Sequence, residues 1–210
     1  CLYMRHNYVP APYTIYKGVN KLNAGCLLTV SLNHPEPQIK TYWSATQIAE
    51  EGVANTFKGS SEEAIDQLEL LLKSSISNQM ISDVPIGAFL SGGIDSSTIV
   101  ALMQAQSPRP VKTFTIGFNE KDFNEAIYAK EVAKHLKTDH TELYVTSEQA
   151  MAVIPQLPTL YCEPFSDASQ IPTFLVSKLA REHVTVSLSG DAGDELFCGY
   201  TRYSAGSRHW

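Results

Sequence analysis

From residue 84 onward the chain alternates apolar runs of strand length with segments of helix length, and that alternation admits few folds. Val84–Leu90 reads as a strand and Ser97–Gln106 as a helix, stopped by Ser107-Pro108-Arg109-Pro110. Val111–Phe118 is a second strand. Asn124–Leu136 is a helix with Ala126, Ile127, Ala129, Val132, Ala133 and Leu136 on its inner side. His140–Val145 is a third strand, followed by helical stretches over 148–161 and 170–182; Pro172 is tolerated in the second because it falls in the first turn. Thr185–Leu188 is a fourth strand, and Asp194–Tyr203 begins another helix. Strands that alternate with helices imply an α/β fold, a parallel sheet with helices on both faces.

Composition changes near residue 55. Upstream, the chain is rich in Tyr, Pro and Gly and has few helical signals. Leu27–Leu32 and Gln38–Trp43 read as two short strands joined by the turn-forming Asn33-His34-Pro35-Glu36-Pro37, so this segment is expected to be the end of a β-rich unit. A helix then begins where Ser60 and Glu63 make a capping box. Ala64, Ile65, Leu68, Leu71, Leu72, Ile76 and Met80 recur at helical spacing, which predicts a helix to about Met80 packed on the downstream α/β segment.

Several function classes are excluded early. The net charge is −6 and lysine and arginine are not clustered, so general nucleic-acid binding lacks its basic footprint. No apolar run reaches the roughly 18 residues of a membrane span, and the first residues do not form a signal peptide. Cys1, Cys26, Cys162 and Cys198 form no CxxC pair, and the six histidines include no HExxH, so neither a disulfide framework nor a zinc site is expected. A reducing, cytoplasmic setting fits this cysteine usage.

In sheets of this kind ligands bind beyond the carboxyl ends of the strands. Two polar, glycine-bearing loops fall there. The first is Ser91-Gly92-Gly93-Ile94-Asp95-Ser96-Ser97. Gly92 and Gly93 let the backbone turn sharply and approach a ligand closely. Successive N–H groups then form an anion-binding nest, reinforced by the amino terminus of the helix after the loop. Ser91, Ser96 and Ser97 add hydroxyl donors. A phosphate group fits such a place, and Asp95 makes sense there only if a cation lies between; magnesium takes carboxylate and phosphate oxygens together. The Gly-Lys-Ser/Thr ending of a Walker A loop is missing, and so is a GxGxxG fingerprint. A glycine-rich turn can also merely join strand to helix, but here the two glycines, three serines and one aspartate all have anion- or cation-handling roles at a helix amino terminus.

The first loop matches the SGGxDSS motif of the N-type ATP pyrophosphatases, which cleave ATP between the α and β phosphates and transfer AMP to a substrate oxygen. The second loop, within Ser187-Leu188-Ser189-Gly190-Asp191-Ala192-Gly193-Asp194-Glu195-Leu196-Phe197, resembles the SG(D/E)xxDE(L/V)F segment of class B, glutamine-hydrolysing asparagine synthetases. Asp83–Leu90, Phe114–Phe118 and Tyr161-Cys162-Glu163-Pro164-Phe165 are similar to the same family. The resemblance implies an adenine nucleotide alpha hydrolase-like sheet and the formation of β-aspartyl-AMP from aspartate and ATP. Ammonia, drawn from glutamine in the full-length family, would then give asparagine, AMP and pyrophosphate. It implies that Leu90, Ser91 and Ile116 line the adenosine pocket, that Ser189 and Gly190 close on the nucleotide, and that Ser91 to Ser97 hold the pyrophosphate. Asp95 and Asp194 would be magnesium ligands. Asp191 would stand near the intermediate and orient ammonia or take its proton. ATP, aspartate, and ammonia or glutamine are the implied small-molecule partners, with neither nucleic acid nor membrane; a homo-oligomer is compatible with this.

By the same resemblance, residues 1–55 are the carboxyl-terminal remnant of a glutaminase domain. Residues 56–210 are an ATP-pyrophosphatase synthetase domain, incomplete at its carboxyl end. The family's nucleophilic amino-terminal cysteine is not Cys1, whose neighbours match the end of that domain. Ala192 and Cys198 stand where close relatives are expected to have glycine, which matters if either position needs a positive φ. Ser166, Asp167 and Ser169 form a polar loop that either meets substrate or caps the helix at Gln170. Two other readings stand beside the synthetase: a truncated, non-catalytic nucleotide-binding module, and a related amidotransferase or β-lactam synthetase-like enzyme using the same activation.

Overall fold

Four parallel strands lie in the order β5-β4-β3-β6, with β3 at Ile86–Phe89, β4 at Lys112–Phe118, β5 at Asp139–Val145 and β6 at Val186–Leu188. This computed structural model describes residues 1–119 and 124–206. The chain moves outward from β3 through β4 to β5 and then returns to the other side of β3 to lay down β6. That reversal puts the loops after β3 and β6 on neighbouring strands, at the switch point where such sheets bind ligands.

Period-two alternation along the strands explains why both faces are covered. Ala88 and Leu90 turn to one face with Val111 and Leu188. There they meet Ile76 of α3 (Ser61–Gln79), Val100 and Met103 of α4 (Ile94–Gln106), and Ala129 and Ala133 of α5 (Ala126–Leu136). Phe89 and Phe114 turn to the other face and pack on Leu179, Ala180 and Val184, the first two from α8 (Gln170–Arg181). Gly87 lets the Phe114 ring lie on the strand, since a Cβ there would come 2.8 Å from Cε2. The expected α/β sheet with helices on both faces is therefore present.

The chain divides into two compact units: residues 1–64 with 155–168, and residues 65–154 with 169–210. The sheet belongs to the second. The first contains α1 (Leu2–His6), an antiparallel hairpin of β1 (Cys26–Ser31) and β2 (His34–Thr41), and α2 (Ala45–Ala54). Its loop 155–168 is tied to its amino-terminal segment: the Lys21 ammonium pairs with Glu163 at 3.0 Å, the Tyr16 hydroxyl donates to the Cys162 carbonyl at 2.6 Å, and the Ser166 N–H donates to the Asn7 carbonyl at 2.7 Å.

Several expectations need correction. The turn between β1 and β2 is at Leu32-Asn33, not 33–37. Pro35 and Pro37 lie inside β2 because a strand with one neighbour can leave ladder positions unpaired. The segment before residue 55, expected to carry few helical signals, holds α1 and α2, and Ser44 caps α2 by accepting the Gln47 N–H. The capping box at Ser60 and Glu63 is present, with bonds of 2.7 and 3.2 Å. The apolar stripe it launches is buried only near its carboxyl end; Ile76 is buried and Met80 partly so, whereas Ile65 and Leu71 are 64% and 69% exposed. The helix expected over 148–161 is three short pieces, α6 (Ser147–Met151), a 3-10 turn (Ile154–Gln156) and α7 (Leu157–Leu160), because Pro155 and Pro158 interrupt it. The helix expected over 194–203 is also split, into α9 (Gly193–Phe197) and α10 (Thr201–Gly206), by Cys198 in the left-handed region and Gly199. No helix of the described residues is long and apolar enough to cross a membrane.

Candidate functional site

The first loop begins where the sheet lets the chain go. The Leu90 N–H still donates to the Phe114 carbonyl at 2.9 Å, and the Leu90 side chain is buried in the core. Two residues later Gly92 adopts φ +83, and a Cβ there would come 2.6 Å from the Ala129 nitrogen and the Tyr128 Cβ. Both the dihedral and the close approach to α5 require glycine. Gly93 is the N-cap of α4, which starts at Ile94 rather than at the expected Ser97. Asp95, Ser96 and Ser97 thus occupy the first turn, where backbone amides lack intrahelical acceptors and the dipole is positive.

The serines divide into two roles. Ser91 and Ser96 knit the loop: the Ser91 N–H donates to Ser96 Oγ at 3.2 Å, the two hydroxyl oxygens are 2.9 Å apart, and the Gly93 N–H donates to Ser91 Oγ at 3.3 Å. The Ser96 hydroxyl lies 3.3 Å from the Gly93 carbonyl and donates to it. Ser96 is buried because it shares a helical stripe with Val100 and Met103, a spacing visible in the sequence, and its hydroxyl straps the loop from inside. Ser97 Oγ is different: it is buried and has no hydrogen-bond partner.

The second loop closes on the first. A Cβ on Gly190 would come 2.7 Å from the Ser96 nitrogen and 2.9 Å from the Asp95 carbonyl carbon, and a Cβ on Gly193 would overlap the Asp95 carboxylate. The Ser189 hydroxyl donates to Asp191 Oδ2 at 3.0 Å, and the Gly193 N–H donates to the Gly190 carbonyl at 3.3 Å. Ala192 and Cys198 both lie in the left-handed region, at φ +73 and +57. These are the two positions at which the sequence departs from expected glycine.

Asp95, Thr98, Gly190, Asp191 and Gly193 border a cavity of about 310 Å³ whose remaining walls include Leu68, Leu72 and Phe197. Asp194 is not part of that lining; its carboxylate lies where a Cβ on Gly199 would be. Ile116 is half-buried on β4, two residues beyond the last pairing with β3, and also stands outside the lining. Among the described residues that line the cavity there is no lysine or arginine. Glu195 is held below the usual carboxylate range, first because the Tyr200 phenol donates to it; the same bond raises the Tyr200 phenol.

Among the described residues no three His, Cys, Asp or Glu side chains cluster as a metal cage. Magnesium does not need one, since it commonly takes one or two carboxylates, phosphate oxygens and water. The Asp95 carboxylate, which lies where a side chain at Gly193 would be, and the unpartnered Ser97 Oγ on the same helical turn, fit a magnesium–phosphate ligand.

A family model for asparagine synthase matches residues 67–210. A putative glutamine-hydrolysing asparagine synthetase 2 of Methanocaldococcus jannaschii is 38% identical over 210 residues, covering 99% of this chain and 39% of that protein. A putative glutamine-hydrolysing asparagine synthetase of Mycobacterium tuberculosis is 36% identical over 196 residues, covering 93% and 29%. Glutamine-hydrolysing asparagine synthetase 1 of Bacillus subtilis is 35% identical over 203 residues, covering 96% and 30%. The chain spans about a third of the length of these relatives. Among solved structures, NMN synthetase from Francisella tularensis aligns with a TM-score of 0.43 at 16% identity, over 70% of this chain and 61% of that one.

Proposed function

The chain belongs to the asparagine synthase family, and from that premise we propose that its two loops bind ATP with magnesium and adenylate the side-chain carboxylate of aspartate. One observation supports the reading most: Gly190 and Gly193 of the second loop seat directly on Asp95 and Ser96 of the first, as two loops sharing one site would.

In this reading the α4 first turn and the Gly92-Gly93 backbone hold the β and γ phosphates, with Ser97 Oγ as an additional donor and Ser91 and Ser96 keeping the loop in shape. Leu90 contributes backbone rather than side chain to the adenosine pocket, with Ile116 and the Ser189-Gly190 backbone around it. Asp95 is the first magnesium ligand; Asp194 is the second once its side chain turns away from Gly199. Bound magnesium supplies positive charge between carboxylate and phosphates. An aspartate carboxylate oxygen attacks the α-phosphorus, the bond to the α–β bridging oxygen breaks, and pyrophosphate leaves. Ammonia then attacks the acyl carbon of the mixed anhydride and AMP leaves. Asp191, oriented by Ser189, takes a proton from the incoming nitrogen. Residues 1–55 are read as the end of a glutaminase domain that supplies ammonia from glutamine, without a nucleophilic role for Cys1, and the setting as cytoplasmic.

A second reading is a nucleotide-binding module that does not turn over; it is supported by a cavity that, among the described residues, carries the carboxylates Asp95 and Asp191 in its lining without a lysine or arginine beside them. Pyrophosphate release separates the two. The synthetase reading expects release from ATP and magnesium only when aspartate is added. ATP binding without aspartate-dependent release supports the module. Release driven by a different acid and not by aspartate points to a related amidotransferase.

A further inference from the structure

The second loop carries two adjacent carboxylates, Asp194 and Glu195, and the residues after it treat them differently. Cys198 and Gly199 turn the chain back, and the Gly199 N–H donates to the Asp194 carbonyl at 3.0 Å, a helix-terminating turn. This brings Tyr200 beside the first turn of α9, where its hydroxyl donates to Glu195 Oε1 at 2.7 Å. The Tyr200 ring is itself held. The Arg202 guanidinium carbon lies 4.3 Å from its centroid and 5.4 Å from that of Tyr203, and the two rings are 5.7 Å apart. A charge-assisted phenol–carboxylate bond, backed by a cation over the ring, fixes Glu195 in one rotamer. Gly199, lacking a side chain, leaves space for the Asp194 carboxylate.

We propose that Tyr200 is a positioning residue for the metal site: it ties Glu195 into the segment 198–203, so that Asp194, once its side chain turns away from Gly199, is the one carboxylate of the pair left to serve magnesium. The inference rests on the proposed ATP–magnesium reading and adds the way the turn chooses between neighbouring acids. Without the tie, Glu195 competes for the cation from a poorly defined position, and the turn that carries Asp194 loses its brace. Partners that orient a metal ligand commonly matter by a factor of ten or more in metal affinity, and an exposed brace belongs at the low end, about tenfold.

The test is ATP binding by the 210-residue chain, titrated with magnesium by calorimetry, with thermal unfolding measured in parallel. Tyr200→Phe should raise the magnesium concentration for half-maximal ATP binding about tenfold, leaving ATP affinity at saturating magnesium and the unfolding temperature unchanged. Glu195→Gln should behave like the wild type, because the amide oxygen still accepts from the phenol. If Tyr200→Phe fails to fold, Glu195→Gln decides alone: wild-type behaviour supports the assignment. A loss in Glu195→Gln as large as that in Asp194→Asn would make Glu195 a ligand and overturn it. Identical magnesium dependence in Tyr200→Phe and the wild type would overturn it too, while leaving ATP binding intact. A wild-type chain that binds no ATP at any magnesium concentration removes the functional reading and this inference together.

Discussion

The loops after β3 and β6 end neighbouring strands and press on each other, yet they are built to different standards. The first places glycine at its left-handed position, Gly92 at φ +83, and closes every strap within itself through Ser91 and Ser96. The second reaches the left-handed region with side chains present, at Ala192 and Cys198. A left-handed residue with a Cβ costs roughly 1–2 kcal/mol, so the first loop is a relaxed cradle and the second stores strain. In the proposed reading, the difference would suit a rigid phosphate nest faced by a loop whose acids adjust to a metal and an incoming nucleophile.

The first loop is most sensitive at Gly92. Gly92→Ala combines a disfavoured dihedral with overlap against Ala129 and Tyr128, and should cost about 3 kcal/mol in chemical denaturation and abolish ATP binding. A change below about 1 kcal/mol would mean the loop is not held against α5. Next comes the contact between loops. Gly190 has no positive φ, but its Cβ would strike the Ser96 nitrogen; Gly190→Ala should cost about 2 kcal/mol and weaken ATP binding, whereas full tolerance would separate the two loops.

The second loop should respond in the opposite direction. Ala192→Gly and Cys198→Gly each relieve a left-handed side chain, and the added freedom of the unfolded chain offsets part of the gain, leaving about 0.5–1 kcal/mol of stabilisation apiece. Destabilisation by either would show that strain is not what distinguishes the loops. The smallest effect lies away from both loops, on β5. His140 Nδ1 is 2.9 Å from Thr113 Oγ1, its Nε2 is buried without a partner, and burial lowers its pKa, with Glu142 opposing and Lys130 adding to the shift. The unfolded chain therefore binds the proton more readily, so this contribution is complete above about pH 6.5 and is lost as the pH falls below it. His140→Gln should flatten the dependence of the unfolding temperature on pH between about 7 and 5; an unchanged slope would place its origin elsewhere.

How much of the fold and site is legible in the sequence depends on whether the signal is local. The strands over 112–118 and 139–145 and the helix over 170–181 lie within a residue of their sequence readings, because apolar period and flanking breakers coincide there. The helix α2 escapes a sequence reading although Ser44 and Gln47 carry a capping pattern, since the Tyr- and Pro-rich context outweighs it. Splitting of the helix over 194–203 is foreshadowed by Gly199 and by Cys198 standing where glycine is expected. In the site, Gly92 and Gly93 are readable as a tight turn. The inward role of Ser96 follows from its spacing to Val100 and Met103 but competes with an equally good reading as a phosphate donor. The seating of Gly190 and Gly193 on Asp95 and Ser96 joins residues about a hundred positions apart and becomes visible only when β6 is laid beside β3.

If the two loops form a single magnesium-dependent ATP site, equilibrium binding of ATP to the 210-residue chain will show it. Saturable binding that requires magnesium, and that disappears in Asp95→Asn while the variant remains folded, is the predicted result. Binding by Asp95→Asn equal to that of the wild type, with the same magnesium dependence, would contradict it.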